Sequence, residues 1–191
     1  MKSIFSLLAV AVALCFQSCC CNDEYMSYRL TGLETHHLNN EGVNFKLNTT
    51  NAPVAAKAYG LQLALTKQES SLGFNAYGDC NRDCGDQISE NLENPIDSIR
   101  IVTLTDFDSL HPAGTEITSF FKYSSPTTFR DEEFPQFFDL NNASVTACCM
   151  NINLFLYSLP AQTDTFQFEV TTTSFQGNFT QTTSPVVLTV N

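Results

Sequence analysis

Carboxylate and amide side chains recur at alternate positions in the segment 79–90, the most site-like stretch of the sequence. Oxygen ligands at alternate positions, followed by a glutamate at the twelfth, suit a loop that binds Ca²⁺. The residues that would supply the oxygens are Asp79, Asn81, Asp83 and Glu90. The glycine stands at the seventh position instead of the sixth, and no helical pattern flanks the loop. The alternative is a solvated acidic loop, so calcium is the one cofactor that the sequence suggests.

Two cysteines in the same loop, Cys80 and Cys84, are separated by three residues. A structural zinc site needs four Cys or His ligands, and Cys149 is the only obvious third. In an exported protein the two thiols are more readily oxidised to a disulfide. We predict a structural bridge between Cys80 and Cys84 and a buried, reduced Cys148. Four cysteines in the domain allow three pairings, so an inter-strand bridge is the alternative.

The remaining candidates for catalysis do not form a recognisable set. The adjacent His36 and His37 would face opposite sides of a strand and could not easily share a metal. His111 precedes a Pro-Ala-Gly turn, where it is expected to cap the loop. Glu132 and Glu133 could be a glycosidase pair or a solvated turn. No hydrolase, phosphate-loop or zinc-helix motif occurs, so the sequence does not predict an enzyme.

The first residues carry the features of a secretory signal. Lys2 is followed by an apolar run, Ile4–Phe16, that is shorter than the roughly 20 residues needed to span a bilayer. Phe16-Gln17-Ser18-Cys19 resembles the lipobox of bacterial lipoproteins, in which the cysteine is lipidated and becomes the new N-terminus. The resemblance implies a multiply acylated Cys19 and membrane attachment through lipid. The chain is therefore expected to be exported and anchored, at the outer membrane, on either its periplasmic or its outer face.

The composition of the chain is that of a globular protein, and its length suits one domain after the signal. Hydrophobic residues make up 43% of the 191 residues, and charged residues make up 15%. The formal charge of -11 argues against nucleic acid as a partner, because phosphates attract Lys and Arg. We expect a signal peptide at 1–18, a lipidated cysteine and tether at 19–27, and a domain at 28–191.

Hydrophobic residues in the domain follow a period of two, which is typical of half-buried strands. The segments with this alternation are 43–47, 59–66, 148–156 and 166–171. Two further strands are predicted at 98–104 and 186–190 from their β-branched residues, and a hairpin is predicted at Gly177-Asn178. One or two helical turns are expected at 66–72 and at 88–92. The prediction is an all-β, immunoglobulin-like antiparallel β-sandwich of about seven or eight strands.

Two long connections are expected, at 73–94 and 121–142. The second contains Phe129, Phe134, Phe137 and Phe138, which we expect to plug an open end of the sandwich rather than to bind a ligand. Tyr77 and Tyr123 lie in or near these connections and are the only candidate platforms for stacking a sugar ring.

Several of these motifs together resemble a family of uncharacterised Bacteroidota lipoproteins, known only as a domain of unknown function. They are the lipobox, the cysteine loop, the strand 99–104 running into Asp106-Phe107-Asp108, and His111-Pro112-Ala113-Gly114-Thr115. The resemblance implies an envelope lipoprotein with a β-rich domain and supplies no catalytic residues.

Asp97-Ser98-Ile99 and Asp108-Ser109-Leu110 also resemble the short motif that receives O-glycans in exported proteins of that phylum. Ser109 is the better candidate for modification because it lies in a loop, whereas Ser98 opens a strand. For the whole chain we expect a structural or binding role, with a protein or glycan ligand that the sequence does not identify. The alternatives are a glycan-binding accessory protein and a small envelope hydrolase.

Overall fold

The computed structural model describes residues 23–42, 44–75, 88–124, 131–132 and 151–190. These residues form thirteen strands and two short 3-10 turns, and none of them lies in an α-helix. The strands are β1 (Asp23–Asn39), β2 (Lys46–Leu47), β3 (Val54–Ala55), β4 (Tyr59–Asn75), β5 (Ile88–Leu92), β6 (Ile96–Thr103), β7 (Phe121–Ser124), β8 (Asp131–Glu132), β9 (Asn151–Leu156), β10 (Asp164–Phe166), β11 (Phe168–Ser174), β12 (Gly177–Thr182) and β13 (Val186–Thr189). The 3-10 turns are Ala56–Ala58 and Thr118–Phe120. Within these ranges no helix is long and apolar enough to cross a membrane.

The strands form three sheets. A seven-stranded sheet has the order β2-β1-β4-β9-β7-β8, with β5 paired to β1. The two smaller sheets have the orders β10-β13-β3 and β12-β11-β6. Pairing is antiparallel between β4 and β9, β7 and β9, β11 and β12, and β11 and β6, whereas β13 and β3 run parallel.

The chain divides into two compact units, Met1–Tyr28 with Glu69–Asn91 and Arg29–Gln68 with Leu92–Asn191. In the first unit the Ser70 hydroxyl donates a hydrogen bond of 3.0 Å to the Ser27 carbonyl. The stretch 23–27, for which the sequence analysis predicted a tether, belongs to β1. The second unit contains the core and the sites described below.

Fully buried aromatic rings hold the second unit together across its layers. Tyr59 of β4 lies 5.8 Å from Phe168 of β11 between ring centroids, and Phe121 of β7 lies 5.9 Å from the same ring. Phe166 stacks on Phe168 at 6.4 Å and contacts Phe107 at 5.7 Å. Because these contacts join the faces of different sheets, the predicted all-β sandwich is confirmed.

The period of two also predicts which side chains are buried. In β4 the residues Leu61, Leu63 and Leu65 are buried, and the intervening positions are less so. In β11 every second residue from Phe168 to Ser174 is buried. Burying one face of each strand is the main source of stability here, because apolar area removed from water contributes about 25 cal/mol per Å².

One core glycine is required by close packing. A Cβ atom on Gly60 would lie 2.7 Å from the carbonyl oxygen of Leu154 and 2.9 Å from the ring of Phe155, its partner on β9. A backbone atom cannot be moved aside as a flexible side chain can. Any larger residue at position 60 would therefore push β4 and β9 apart.

Three buried polar side chains differ in how they are satisfied. Asn94 accepts a 2.7 Å hydrogen bond from the Leu30 N–H and donates a 3.1 Å bond to the Leu30 carbonyl. The Thr103 hydroxyl donates to the Thr105 carbonyl at 2.6 Å. The Thr172 hydroxyl is buried with no hydrogen-bond partner. Burying a hydroxyl without a hydrogen-bond partner lowers the free energy of unfolding, because its hydrogen bonds to water are lost and not replaced.

Several sequence-based predictions of local structure are wrong. Residues 66–72 lie inside β4 and residues 88–92 form β5, although both were expected to be helical turns. Their helix-forming side chains are overridden by strand pairing, because propensity differences are well under 1 kcal/mol per residue. The β11–β12 turn is formed by Phe175 and Gln176, with Ser174 opposite Gly177, so the predicted hairpin exists two residues earlier.

Other strand predictions need adjustment. The alternating segment 166–171 is split at Gln167, which separates β10 from β11. The predicted strand at 43–47 shrinks to β2, and the long connections contain the end of β4, β5, β7 and β8. Short pieces such as β2, β3 and β8 raise the number of strands above the predicted seven or eight. The immunoglobulin-like connectivity stays a prediction.

Candidate functional site

The loop that follows β6 is closed by backbone hydrogen bonds. The Gly114 N–H donates to the Thr103 carbonyl at 2.7 Å, and the Thr103 N–H donates to the Thr115 carbonyl at 3.0 Å. Gly114 has a φ of 88°, in the left-handed region that favours glycine. The Phe107 side chain is buried beneath the loop, and the Asp106 carboxylate accepts the Ala113 N–H at 2.8 Å. The loop is therefore held in one conformation from both ends.

At the tip of this loop an aspartate organises a tight turn. Asp108 Oδ1 accepts hydrogen bonds from the Leu110 N–H at 2.8 Å and the His111 N–H at 2.9 Å. The same oxygen lies 2.8 Å from His111 Nδ1. The His111 ring packs edge-on against Phe120, with 4.7 Å between centroids. The turn predicted for His111 is present, and the cap is provided by Asp108.

These contacts lower the pKa of Asp108 and show which ring nitrogen of His111 donates to it. Partial burial of Asp108 acts to raise its pKa, but the hydrogen bonds from Leu110 and His111 outweigh burial and hold the pKa below its ordinary value. Because an ionised carboxylate only accepts, His111 Nδ1 carries a proton. In the neutral imidazole the acceptor nitrogen is then Nε2.

An oriented imidazole of this kind can be part of a base or of a metal site, but it needs partners. Within the described residues no three His, Cys, Asp or Glu side chains come close enough together to hold a metal ion. What the turn does present is an apolar side chain: Leu110 is 81% exposed and lies beside the exposed Ser109. The turn is therefore a hydrogen-bonded surface loop with exposed side chains at its tip, the kind of segment that commonly carries binding residues.

A second polar cluster in the second unit joins the buried His37 and Tyr59 to the exposed Ser184. His37 Nδ1 lies 2.8 Å from the Tyr59 hydroxyl, and His37 Nε2 lies 2.8 Å from the Ser184 carbonyl and 3.1 Å from the Ser184 hydroxyl. A carbonyl oxygen can only accept, so Nε2 carries the proton and Nδ1 accepts from Tyr59. A histidine whose Nε2 is already protonated cannot take the proton of Ser184. The cluster is thus a structural network and not a Ser–His nucleophile pair.

Burial dominates the electrostatics of this network. It lowers the pKa of His37, aided by the neighbouring His36 and opposed by the bond to the Ser184 carbonyl. Burial also raises the pKa of Tyr59 well above its ordinary value. Both side chains are therefore neutral at pH 7, as their mutual hydrogen bond requires. The predicted opposite orientation of the histidine pair is confirmed, since His36 is exposed and His37 is buried.

A shallow depression of about 360 Å³ lies beside the connection from β1 to β2. Polar residues contribute to its lining, and two of its three asparagine amides are hydrogen-bonded within the chain. Asn39 exchanges hydrogen bonds with Glu41, and Asn48 donates to and accepts from the backbone of Ala52. These bonds fix the turns of the chain and leave few side-chain groups directed at a ligand.

Comparison with known proteins identifies the family of the chain. A family model described as a domain of unknown function, DUF5034, matches residues 30–185. The chain belongs to this family. No curated protein and no solved structure matches the chain.

The matched range of the DUF5034 domain includes both polar clusters and both serines predicted to receive O-glycans. Ser109 is exposed in the Asp108 turn, and Ser98 is also exposed, on β6 opposite Thr173. One serine lies on a strand and the other lies in a turn. Tyr123 is only 8% exposed, so it does not offer the ring face that a sugar platform requires.

The other predicted site residues of the DUF5034 protein lie outside the described residues. They are Cys19, Asp79, Cys80, Asn81, Asp83, Cys84 and Cys148, together with Tyr77, Glu133 and the four phenylalanines of the second long connection. Glu90 lies in β5 and Glu132 in β8. The lipid, calcium and disulfide predictions therefore stay predictions.

The sequence analysis did not identify Asp108 as the hydrogen-bond partner of His111. The signal that could have found it is the Asp-x-x-His spacing, which is typical of a turn capped by an aspartate. The His37 network was also missed. That network could not be found from spacing, because Tyr59 is 22 residues from His37 and Ser184 is 147 residues away.

Proposed function

We propose that this DUF5034 protein is an exported, lipid-anchored cell-envelope protein whose β-sandwich has a structural or binding role. The observation that carries the anchoring is Ser18-Cys19, a small residue before a cysteine at the end of a short apolar run. Several acyl chains on one cysteine hold a protein stably to a membrane, whereas a single chain binds marginally. The outer membrane is the proposed location.

The rigid loop around the Asp108–His111 pair supports the binding role. Its backbone is held by hydrogen bonds at both ends, and Leu110 is exposed at its tip. A single exposed leucine is ordinary on a protein surface, so the binding role rests on the ordered loop, since loops held by a scaffold commonly carry binding residues. In the two polar clusters, Asp108 accepts hydrogen bonds from its own turn, and His37 is bonded to Tyr59 and Ser184 of the same domain.

Metabolic labelling tests the anchoring. The full chain is expressed in a bacterial host that processes lipoproteins and is supplied with an alkyne analogue of palmitate. Cys19→Leu should abolish labelling and release the protein from membranes. Leucine is chosen because alanine would place a small residue before Cys20 and create a second lipobox.

The matched control is Cys20→Ser, which should label as strongly as the wild type. Equal labelling of the wild type and Cys19→Leu would overturn the proposal, and so would a wild type without label. For the binding role, a photo-reactive amino acid at Leu110 should give one discrete adduct in intact cells. The same group at the exposed Lys57 should give none, and matching products from both positions would reject Leu110 as a contact residue.

A further inference from the structure

Strand β12 is an edge of the three-stranded sheet β12-β11-β6. Five of its six residues are exposed, and only Phe179 is half-buried. Among the described residues, β11 is the one strand that pairs with it. An exposed edge carries backbone groups that can pair with another strand.

The register shows which backbone groups face outward. The Thr183 N–H donates to the Phe168 carbonyl at 2.9 Å, just beyond the last β11–β12 pair. In an antiparallel ladder the bonded residues alternate, so positions 177, 179, 181 and 183 bond to β11. The N–H and C=O groups of Asn178, Thr180 and Thr182 therefore point away from the sheet. One of them is partly occupied, since the Gln181 amide donates to the Thr182 carbonyl at 3.3 Å.

The edge lacks the usual protection against pairing. Protected edges are short, charged or interrupted by proline. The edge strand β2 fits that description, because it has two residues and one of them is Lys46. β12 has six residues with neither charge nor proline. No charged residue occurs anywhere from Val170 to Asn191, in a chain whose formal charge is -11.

We infer that β12 pairs with β12 of a second copy of this chain, antiparallel about Thr180. In that register Thr180 faces Thr180 of the second copy, and Asn178 faces Thr182 in both directions. The outward N–H and C=O groups of Asn178, Thr180 and Thr182 then each face an outward residue of the second copy. The Thr171 and Thr180 hydroxyls are already 3.0 Å apart, so the pairing extends a threonine ladder across both sheets.

The neutrality of the edge favours a second copy as the occupant. Two chains of the same net negative charge repel each other, and a β12–β12 contact adds no like-charge pair because β12 has no charged residue. Six residues a side are fewer than the roughly 20–30 of a standard interface. The dimer should therefore be reversible and form at high protein concentration.

Cysteine cross-linking tests the register. In the full chain, purified from membranes in detergent, Thr180→Cys should give a covalent dimer under mild oxidation. Facing residues of a bonded pair lie about 5.5 Å apart between Cα atoms, within disulfide range. The matched variant Thr171→Cys lies one strand inward, where the two copies are separated by about 14 Å, so it should remain a monomer like the wild type.

Sedimentation of unlinked protein tests the association itself. Thr180→Pro removes the outward N–H, and Thr180→Lys places two like charges opposite each other, so both should abolish the dimer. Both also remove the hydroxyl that lies 3.0 Å from the Thr171 hydroxyl, so the control is Thr171→Val, which removes the same contact inside one chain and should still form the dimer. Gln176→Lys adds the same charge in the turn and should leave the dimer intact. A wild type that stays monomeric at the highest soluble concentration would overturn the inference. So would a dimer unaffected by Thr180→Lys, or equal cross-linking from positions 171 and 180.

Discussion

The buried His37 should make the protein lose stability as the pH falls below about 6.5. Its imidazole is held neutral between Tyr59 and Ser184, and burial lowers its pKa from the ordinary value of 6.5. Replacing it by glutamine removes the titration while keeping the hydrogen bonds possible. The glutamine amide can accept from the Tyr59 hydroxyl and donate to the Ser184 carbonyl.

The sign follows from which state binds the proton first. Above pH 6.5 the histidine is neutral in both states, so it adds no pH dependence. Below that value the unfolded chain is protonated while native His37 is not, so the free energy of unfolding falls with falling pH. The loss reaches at most about 1.4 kcal/mol per pH unit and ends where native His37 is itself protonated. With an m-value of 1–3 kcal/mol per M, this slope lowers the urea midpoint by roughly 0.5–1.4 M per pH unit.

Urea unfolding of the wild type and of His37→Gln between pH 7.5 and 5 provides the measurement. The wild type should lose stability relative to His37→Gln below pH 6.5, and so should His36→Gln, because that variant keeps the buried imidazole of His37. The series stops at pH 5 so that Asp108 does not contribute. The pKa of Asp108 is lowered in the folded state, so its stabilising effect is lost only as the pH falls below about 4. Parallel curves for the wild type and His37→Gln would refute the buried, neutral imidazole.

Three further predictions concern the stability of the second unit, each measured as the free energy of unfolding in urea. Thr172→Val should stabilise the protein by about 1 kcal/mol because it removes a buried hydroxyl that has no hydrogen-bond partner. Thr103→Val should destabilise it by a similar amount because it removes a hydroxyl that donates a hydrogen bond, and a less stable Thr172→Val with a more stable Thr103→Val would contradict both assignments. Gly60→Ala should cost about 1–3 kcal/mol through its clash with the carbonyl of the facing strand, whereas Gly42→Ala has room and should change little. Asn94→Ala should cost about 2–3 kcal/mol, since it leaves a buried N–H and a buried carbonyl of β1 unpaired, and a loss under 0.5 kcal/mol would show that water replaces the amide.

The parts of the fold that the sequence predicts are those with a regular period. The leucines of β4 and the alternation of β11 identify half-buried strands because one face must leave water. The first strand was missed because its buried residues do not alternate: Leu30 and Leu33 are three apart, and His37 and Leu38 are adjacent. An irregular strand is recognisable only once its partners in the sheet are known.

The candidate site shows the same division between local and long-range information. The turn at His111 was predicted because Pro-Ala-Gly acts locally. The burial of His37 depends on Ser184, at the other end of the chain. The exposure of Leu110 could not be predicted either, since a leucine is expected inside unless the loop that carries it is known to project.

The central claim, attachment to the envelope through Cys19, is tested most directly by the mass of the N-terminal peptide of the protein isolated from its native membranes. We predict a peptide that begins at Cys19 and carries the mass of a diacylglyceryl group and an amide-linked acyl chain. A peptide that retains Met1, or one that begins at or after Cys19 without lipid, would contradict the account.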